Sequence, residues 1–239
     1  MSKAIRAIQA QLKVEGYNIS LDGVWGSQSQ QALRQAIDNK TLEMYFDFDT
    51  FKTLFKVNSL KQSFVDGING LYDAFNEFNN IDGTNPNYIA YMLATSYLET
   101  DRSMKAIKEY GNANYFSKYG KGNLAKRLGN KSVADGIKFA GRGHVMITGR
   151  DNYQKFTDIL GIDLISNPDL ALNPVVSAKI LVIGSLKGVF TTRKLSDYIT
   201  YGSYNDFVEA RRVINGVDRK RDIADYAIKF RECIIVKKV

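Results

Sequence analysis

A chain of 239 residues with one cysteine and one histidine excludes a disulfide-stapled scaffold and any zinc site built on two or three imidazoles. Its composition, 44% apolar and 12% aromatic, suffices for a folded core. Thirty-three basic residues against 25 acidic ones give a net charge of +8, which favours polyanionic partners such as nucleic acid, anionic membranes or wall polymers. No block of five like charges makes a nucleic-acid tail. No stretch approaches the ~20 apolar residues of a membrane span. The N-terminus lacks the apolar centre of a signal peptide, so a soluble product made in a cytoplasm is expected.

The N-terminal segment reads as a small helical module. Ile5, Ile8 and Leu12 recur at helical spacing, as do Leu33 and Ile37. Between them, Asp22-Gly23 and Gly26 signal turns, and Ser27 or Ser29 is placed to cap the second helix. An aromatic-rich stretch, Tyr45 to Phe55, closes the module, and Val57-Asn58-Ser59 marks the boundary. The expected domains are therefore 1–57 and 58–239.

The second domain reads as mostly helical. Leu60, Phe64, Ile68, Leu71, Phe75 and Phe78 form one apolar stripe. Asp82-Gly83 breaks the chain, and Thr84-Asn85-Pro86 starts a new helix that carries Ile89, Met92, Leu93 and Ser96 inward and Glu99 near its end. Residues 110–138 read as loop, and Val145 to Thr148 as a short strand between Gly143 and Gly149. Helical periodicity returns over 175–190 and 204–235.

Two constellations carry possible chemistry. Glu99 and Glu109 are the first: glycoside hydrolysis needs one carboxyl group to protonate the leaving oxygen and a second to activate water or attack. On one unbroken helix, ten residues would hold them ~15 Å apart. A working pair therefore requires the helix to end at Asp101-Arg102-Ser103, so that Glu109 swings back. Two surface charges are the plainer alternative. The second constellation is Gly141-Arg142-Gly143-His144, where small residues admit close backbone approach; the alternative is a tight hairpin. It has no phosphate-loop spacing. His144 reads as a packing residue, and Cys233, in an apolar run, as a buried structural thiol rather than a nucleophile.

Together, Ala90 to Thr100, Met104 to Gly111, the Gly-Arg-Gly stretch with Asn152-Tyr153, and Ala210 to Gly216 with Ile223 to Tyr226 resemble phage endolysins of the chitinase-related class. That class belongs with glycoside hydrolase family 19 in the lysozyme-like superfamily. Residues 1–55 separately resemble the type 1 peptidoglycan-binding domain, through Ile8-Gln9, Leu12, Gly16-Tyr17, Asp22-Gly23 and Trp25-Gly26.

The resemblance implies a mainly α fold: a lysozyme-like helical catalytic domain with a small β element, preceded by a small helical peptidoglycan-binding domain. It implies Glu99 as general acid, Glu109 as the base, and Thr148 as the hydroxyl that helps hold the attacking water. Arg142 would brace the acidic site on the substrate side, with Tyr153 and Asn215 as sugar contacts. Tyr17, Asp22 and Trp25 mark the wall-binding module, although core packing suits Trp25 better than direct stacking on sugar. Leu98 and Met146 replace a histidine and a glutamine common in relatives, and the second change removes a sugar hydrogen bond.

No metal or organic cofactor is implied. The expected activity is hydrolysis of MurNAc–GlcNAc bonds in bacterial peptidoglycan, with host lysis. The expected partners are peptidoglycan and anionic envelope polymers, without nucleic acid or membrane insertion, for a monomer made in the host cytoplasm and acting at the wall. A lytic transglycosylase, a non-catalytic wall-binding or virion protein, and a chitinase stay open as alternatives.

Overall fold

The computed structural model describes residues 2–214 and 216–239. It is mainly helical, with two small two-stranded sheets among the described residues. No helix among them is long and apolar enough to cross a membrane.

At the N-terminus, α1 (Lys3–Val14) and α2 (Ser27–Asp38) bury Ile5, Ile8, Leu12 and Leu33 against each other, as their spacing predicts. The loop between them is tied down by one side chain. Gln9 Nε2 donates to Asp22 Oδ1 and to the Val24 carbonyl, both at 2.9 Å, while its Oε1 accepts from the Gly23 amide at 2.9 Å. Gly26, not Ser27 or Ser29, occupies the N-cap of α2; Ser27 is the first helical residue and caps nothing.

The packing continues across the expected boundary at residue 57. Strand β1 (Leu42–Phe46) pairs antiparallel with the C-terminal strand β4 (Ile234–Lys238), from Leu42 opposite Lys238 to Phe46 opposite Ile234. Helix α3 (Phe48–Phe55), capped by Asp47, then drives Phe51 and Phe55 into a cluster with Phe64, Tyr97, Tyr226 and Phe230. The first 57 residues thus share one apolar core with the rest of the chain. Helix α4 (Gln62–Glu77) carries the stripe from Phe64 to Phe75, while Leu60 precedes it and Phe78 follows it.

The centre of the fold is α5 (Pro86–Glu99). Asn85 caps it by accepting from the Asn87 and Tyr88 amides, and Pro86 sits in the first turn, where no donor is needed. Every residue from Pro86 to Tyr97 is buried, not only one side. A helix apolar all round must be wrapped by others. The principal partner is α12 (Lys220–Glu232), with α10 (Pro174–Lys187) on another side.

Three stretches differ from the sequence reading. Residues 110–138 hold short helices α6 (Ala113–Phe116), α7 (Gly122–Leu128) and α8 (Val133–Lys138), each too brief for apolar periodicity to register. Residues 204–235 form α11 (Tyr204–Ala210), a 3-10 turn and α12, divided by a turn around Gly216. The small sheet is made by β2 (Ile107–Lys108) and β3 (Arg142–Gly143). The chain then turns through His144 to Met146, with a single bridge from Arg142 to Ile147. The tight hairpin is the correct alternative, and Val145 to Thr148 is not a strand. α9 (Arg150–Leu160) follows directly.

Candidate active site

The site is assembled by a helix that stops. Thr100 closes α5: its Oγ1 donates to the Ser96 carbonyl at 2.7 Å and accepts from the Met104 amide at 3.0 Å. Asp101, Arg102 and Met104 all take left-handed backbone conformations, with φ of 49°, 63° and 56°. Three such non-glycine residues in four positions are costly individually and hold only because the surroundings fix them. The Met104 carbonyl packs where a side chain on Gly67 of α4 would stand, and it accepts from His144 Nε2 at 3.2 Å. The chain is thereby turned from Glu99 into β2, and Glu109 returns to face the same cleft.

That cleft encloses about 700 Å³, and its walls include Glu99, Glu109, Tyr119, Arg127, Met146, Thr148, Asp151, Asn152, Lys155 and Thr191. Glu99 sits at the α5 terminus, where Arg211 Nη2 donates to its Oε1 at 2.8 Å. Arg211 lies on the turn after α11, is 1% exposed, and is itself held by donating from Nε to the Asp218 carbonyl at 3.0 Å. The guanidinium thus fixes one carboxylate oxygen from the protein side of a residue that lines the cleft.

Glu109 is held by the hairpin. Its amide donates to the Gly141 carbonyl at 2.8 Å, and the Gly141 amide returns a bond to Oε2 at 3.1 Å. Tyr119 OH donates to Oε1 at 2.6 Å. Burial, and then this bond, push the Tyr119 hydroxyl far above its ordinary range, so it remains a donor at any working pH. A β-carbon on Gly141 would lie 2.9 Å from Glu109 Oε2 and 3.3 Å from Thr148 Oγ1, which places the threonine hydroxyl beside the carboxylate. Thr148 Oγ1 donates to the Met146 carbonyl at 2.8 Å, so its lone pairs are free to accept from a water.

Other expected site residues fall elsewhere. Arg142 is 4% exposed, and its donors go to Asp169 Oδ1 at 2.7 Å, the Lys138 and Ala140 carbonyls, and Tyr153 OH. It braces the segment that precedes Gly141 and does not line the cleft. Tyr153 is equally buried; its hydroxyl donates to the Ala140 carbonyl at 3.0 Å and is pushed up to about 12, chiefly by burial. Neither lines the cleft: Arg142 keeps a bracing role, and Tyr153, expected to contact sugar, is buried as a support of the hairpin. Asn215 lies outside the described residues.

In the N-terminal module the Trp25 indole is buried, donating to Gln30 Oε1 at 2.7 Å, so it packs rather than stacks on sugar. Tyr17 is half-buried against the core, and Asp22 is exposed, its carboxyl lowered mainly by the Gln9 bond. Met146 lines the cleft with φ of 52°. His144 is a packing residue: its amide donates to Ser177 Oγ at 2.7 Å, and burial lowers its ring to about 4. Cys233 is buried, with its thiol pushed up to about 12 by burial. Tyr119 has no role in the sequence reading, and Arg211 enters it only within the Ala210–Gly216 stretch, with no function assigned.

Two acids brought to one open cleft by a helical fold, each oriented by its own buried or half-buried donor, form the working parts of a glycosidase. The chitinase class I family, glycoside hydrolase family 19, matches residues 60–185, just over half of the chain, and the chain belongs to it. It is a glycoside hydrolase with the mainly α fold of that family.

Proposed function

We propose that this glycosidase cuts the glycan strand of bacterial peptidoglycan, between N-acetylmuramic acid and N-acetylglucosamine, and serves as a phage-type endolysin. Glu99 protonates the leaving oxygen. Glu109 takes a proton from a water that the Thr148 hydroxyl helps to place, and the water attacks the far face of the sugar with inversion. Such a mechanism needs the carboxyl groups roughly 6.5–9.5 Å apart, which leaves room for that water.

The observation favouring peptidoglycan over chitin is a pair of exposed cations on the cleft wall. Arg127 and Lys155, both exposed, line it together with Asp151 and the two glutamates. Chitin is neutral, whereas a muramyl residue carries carboxylate, on its lactyl group where that is free or on the stem peptide that amidates it, and such cations attract it. The net charge of +8 points the same way, toward an anionic envelope. The N-terminal resemblance to peptidoglycan-binding domains supports a wall-bound enzyme, which we take as a monomer made in the host cytoplasm and released to the wall.

Mass spectrometry of fragments released from purified sacculi tests this reading. Hydrolysis adds one water per cut and leaves reducing muramic ends. Anhydro ends would identify a lytic transglycosylase, and binding without release would identify a non-catalytic wall protein. Turnover of chitin but not sacculi would identify a chitinase. Any of these three results overturns the proposal.

A further inference from the structure

A second groove, of about 600 Å³, lies where the N-terminal module meets the catalytic core, on residues that take no part in the catalytic cleft. Its floor comes from Trp25, Gln30 and Arg34 of the module, and its far wall from Tyr88 and Tyr201 of the core. The Trp25 indole fixes the orientation of the Gln30 amide by donating to its oxygen, leaving Nε2 as a buried donor without a partner. Gln30 as a residue is more than nine-tenths buried. Arg34 Nε is likewise buried and unpartnered, although its Nη2 pairs with Asp82 at 2.6 Å. Unpaired buried donors cost stability; both lie just beneath the groove surface, and a small side-chain shift brings them to an entering acceptor, which recovers that cost.

The opposite rim is rigid. The amides of Thr200, Tyr201 and Gly202 all donate to Asp206 Oδ2, at 3.1, 2.9 and 3.0 Å, and Arg231 Nη1 donates to the Gly202 carbonyl from within the core. This clamp holds Tyr201 with 66% of its surface in solvent, an aromatic face presented at fixed position beside two unpaired donors. The Arg34–Asp82 pair leaves the groove close to neutral. An aromatic platform, amide and guanidinium donors, and little net charge together suit an N-acetylated amino sugar, whose apolar ring face stacks and whose acetamido carbonyl accepts.

We infer that this junction groove is a second glycan-binding site, separate from the catalytic cleft, that holds the polymer while the cleft cuts it. The inference rests on the proposed glycan substrate but not on which glycan it is. It also moves the main wall contact from the Tyr17–Trp25 loop to the seam between the two halves of the chain.

The test is a pull-down of the intact protein by purified sacculi and, in parallel, by chitin powder, with turnover of a soluble N-acetylglucosamine oligomer as the second readout. Tyr201→Ala is expected to weaken polymer retention about tenfold, Tyr201→Phe to restore it, and neither to change oligomer turnover more than about twofold. Because Tyr201 is exposed, its loss leaves the core intact. Retention of Tyr201→Ala equal to the parent's on both polymers would overturn the inference, as would an equal fall in oligomer turnover. A parent retained by chitin alone, with Tyr201→Ala released, sinks the peptidoglycan proposal while sustaining the groove.

Discussion

Arg211 and Glu99, 112 positions apart in sequence, meet with Nη2 2.8 Å from Oε1, and the arginine is almost wholly enclosed while the glutamate opens onto the cleft. The guanidinium acts as a fixed mount for the acid. Arg211→Leu removes that mount, and turnover of a soluble oligosaccharide should fall by about 100-fold with KM changed little. Steady-state kinetics check this, with a thermal melt to show that the variant stays folded. Turnover within threefold of the parent would mean that Glu99 is positioned by something else.

Tyr119→Phe deletes one hydroxyl, the donor to Glu109 Oε1. Glu109 keeps the Gly141 amide on its other oxygen, so the loss should be partial, about tenfold in kcat. Comparison of kcat and KM separates this from a loss of sugar binding, which would raise KM instead.

Gly141 and Gly70 give opposite expectations for the same change. Alanine at 141 would push its β-carbon to 2.9 Å from Glu109 Oε2, so the carboxylate must move and activity should fall by at least about 100-fold. Alanine at 70, inside α4 with open space around it, should raise stability by about 0.5–1 kcal/mol and leave activity alone. Chemical denaturation and kinetics on the two variants provide the check.

How much of this could be read in advance divides by the range of the interaction. Asn85-Pro86 announced the start of α5, and Asp101 to Ser103 its end, because caps and turns are local chemistry carried by adjacent residues. The two acids gain their roles only through the resemblance, since the residues alone leave two surface charges as the plainer alternative. Arg211 and Tyr119 were not legible, since no spacing rule joins positions brought together only by the packing of α5 against the C-terminal helices. Tyr153 is not at the cleft as expected, because a sequence does not say whether a polar side chain points into a site or is spent on a backbone carbonyl. The strand expected at Val145 to Thr148 failed at Met146, whose left-handed backbone breaks an apolar run that otherwise reads as extended.

His144 makes stability depend on pH. Its ring takes a proton near 6.5 when unfolded but only near 4 when folded, because burial disfavours the cation. Below 6.5 the unfolded chain therefore binds more protons than the folded one, and stability declines as pH drops from 6.5 toward 4, by up to about 3 kcal/mol. His144→Gln, which retains a donor toward the Met104 carbonyl, should flatten that slope in urea melts at pH 4.5 and 7. An unchanged slope would assign the acid sensitivity to other groups.

Reversing the cleft's cations tests substrate choice. The pair Arg127→Glu and Lys155→Glu should raise the apparent KM for sacculi about tenfold or more, and leave an uncharged N-acetylglucosamine oligomer nearly unaffected. The parent's activity on sacculi should also weaken as salt rises. A flat salt response would remove the electrostatic argument for peptidoglycan.

Whether Glu99 and Glu109 act as one catalytic pair is decided by the hydrolysis rates of Glu99→Gln, Glu109→Gln and the double variant on one soluble oligosaccharide. Each single change should lower kcat by about 1,000-fold or more, and the double variant should be scarcely worse than either, because groups that act on one bond fail together. A single variant that keeps a tenth of the parental rate, or losses that simply multiply, would contradict the pairing.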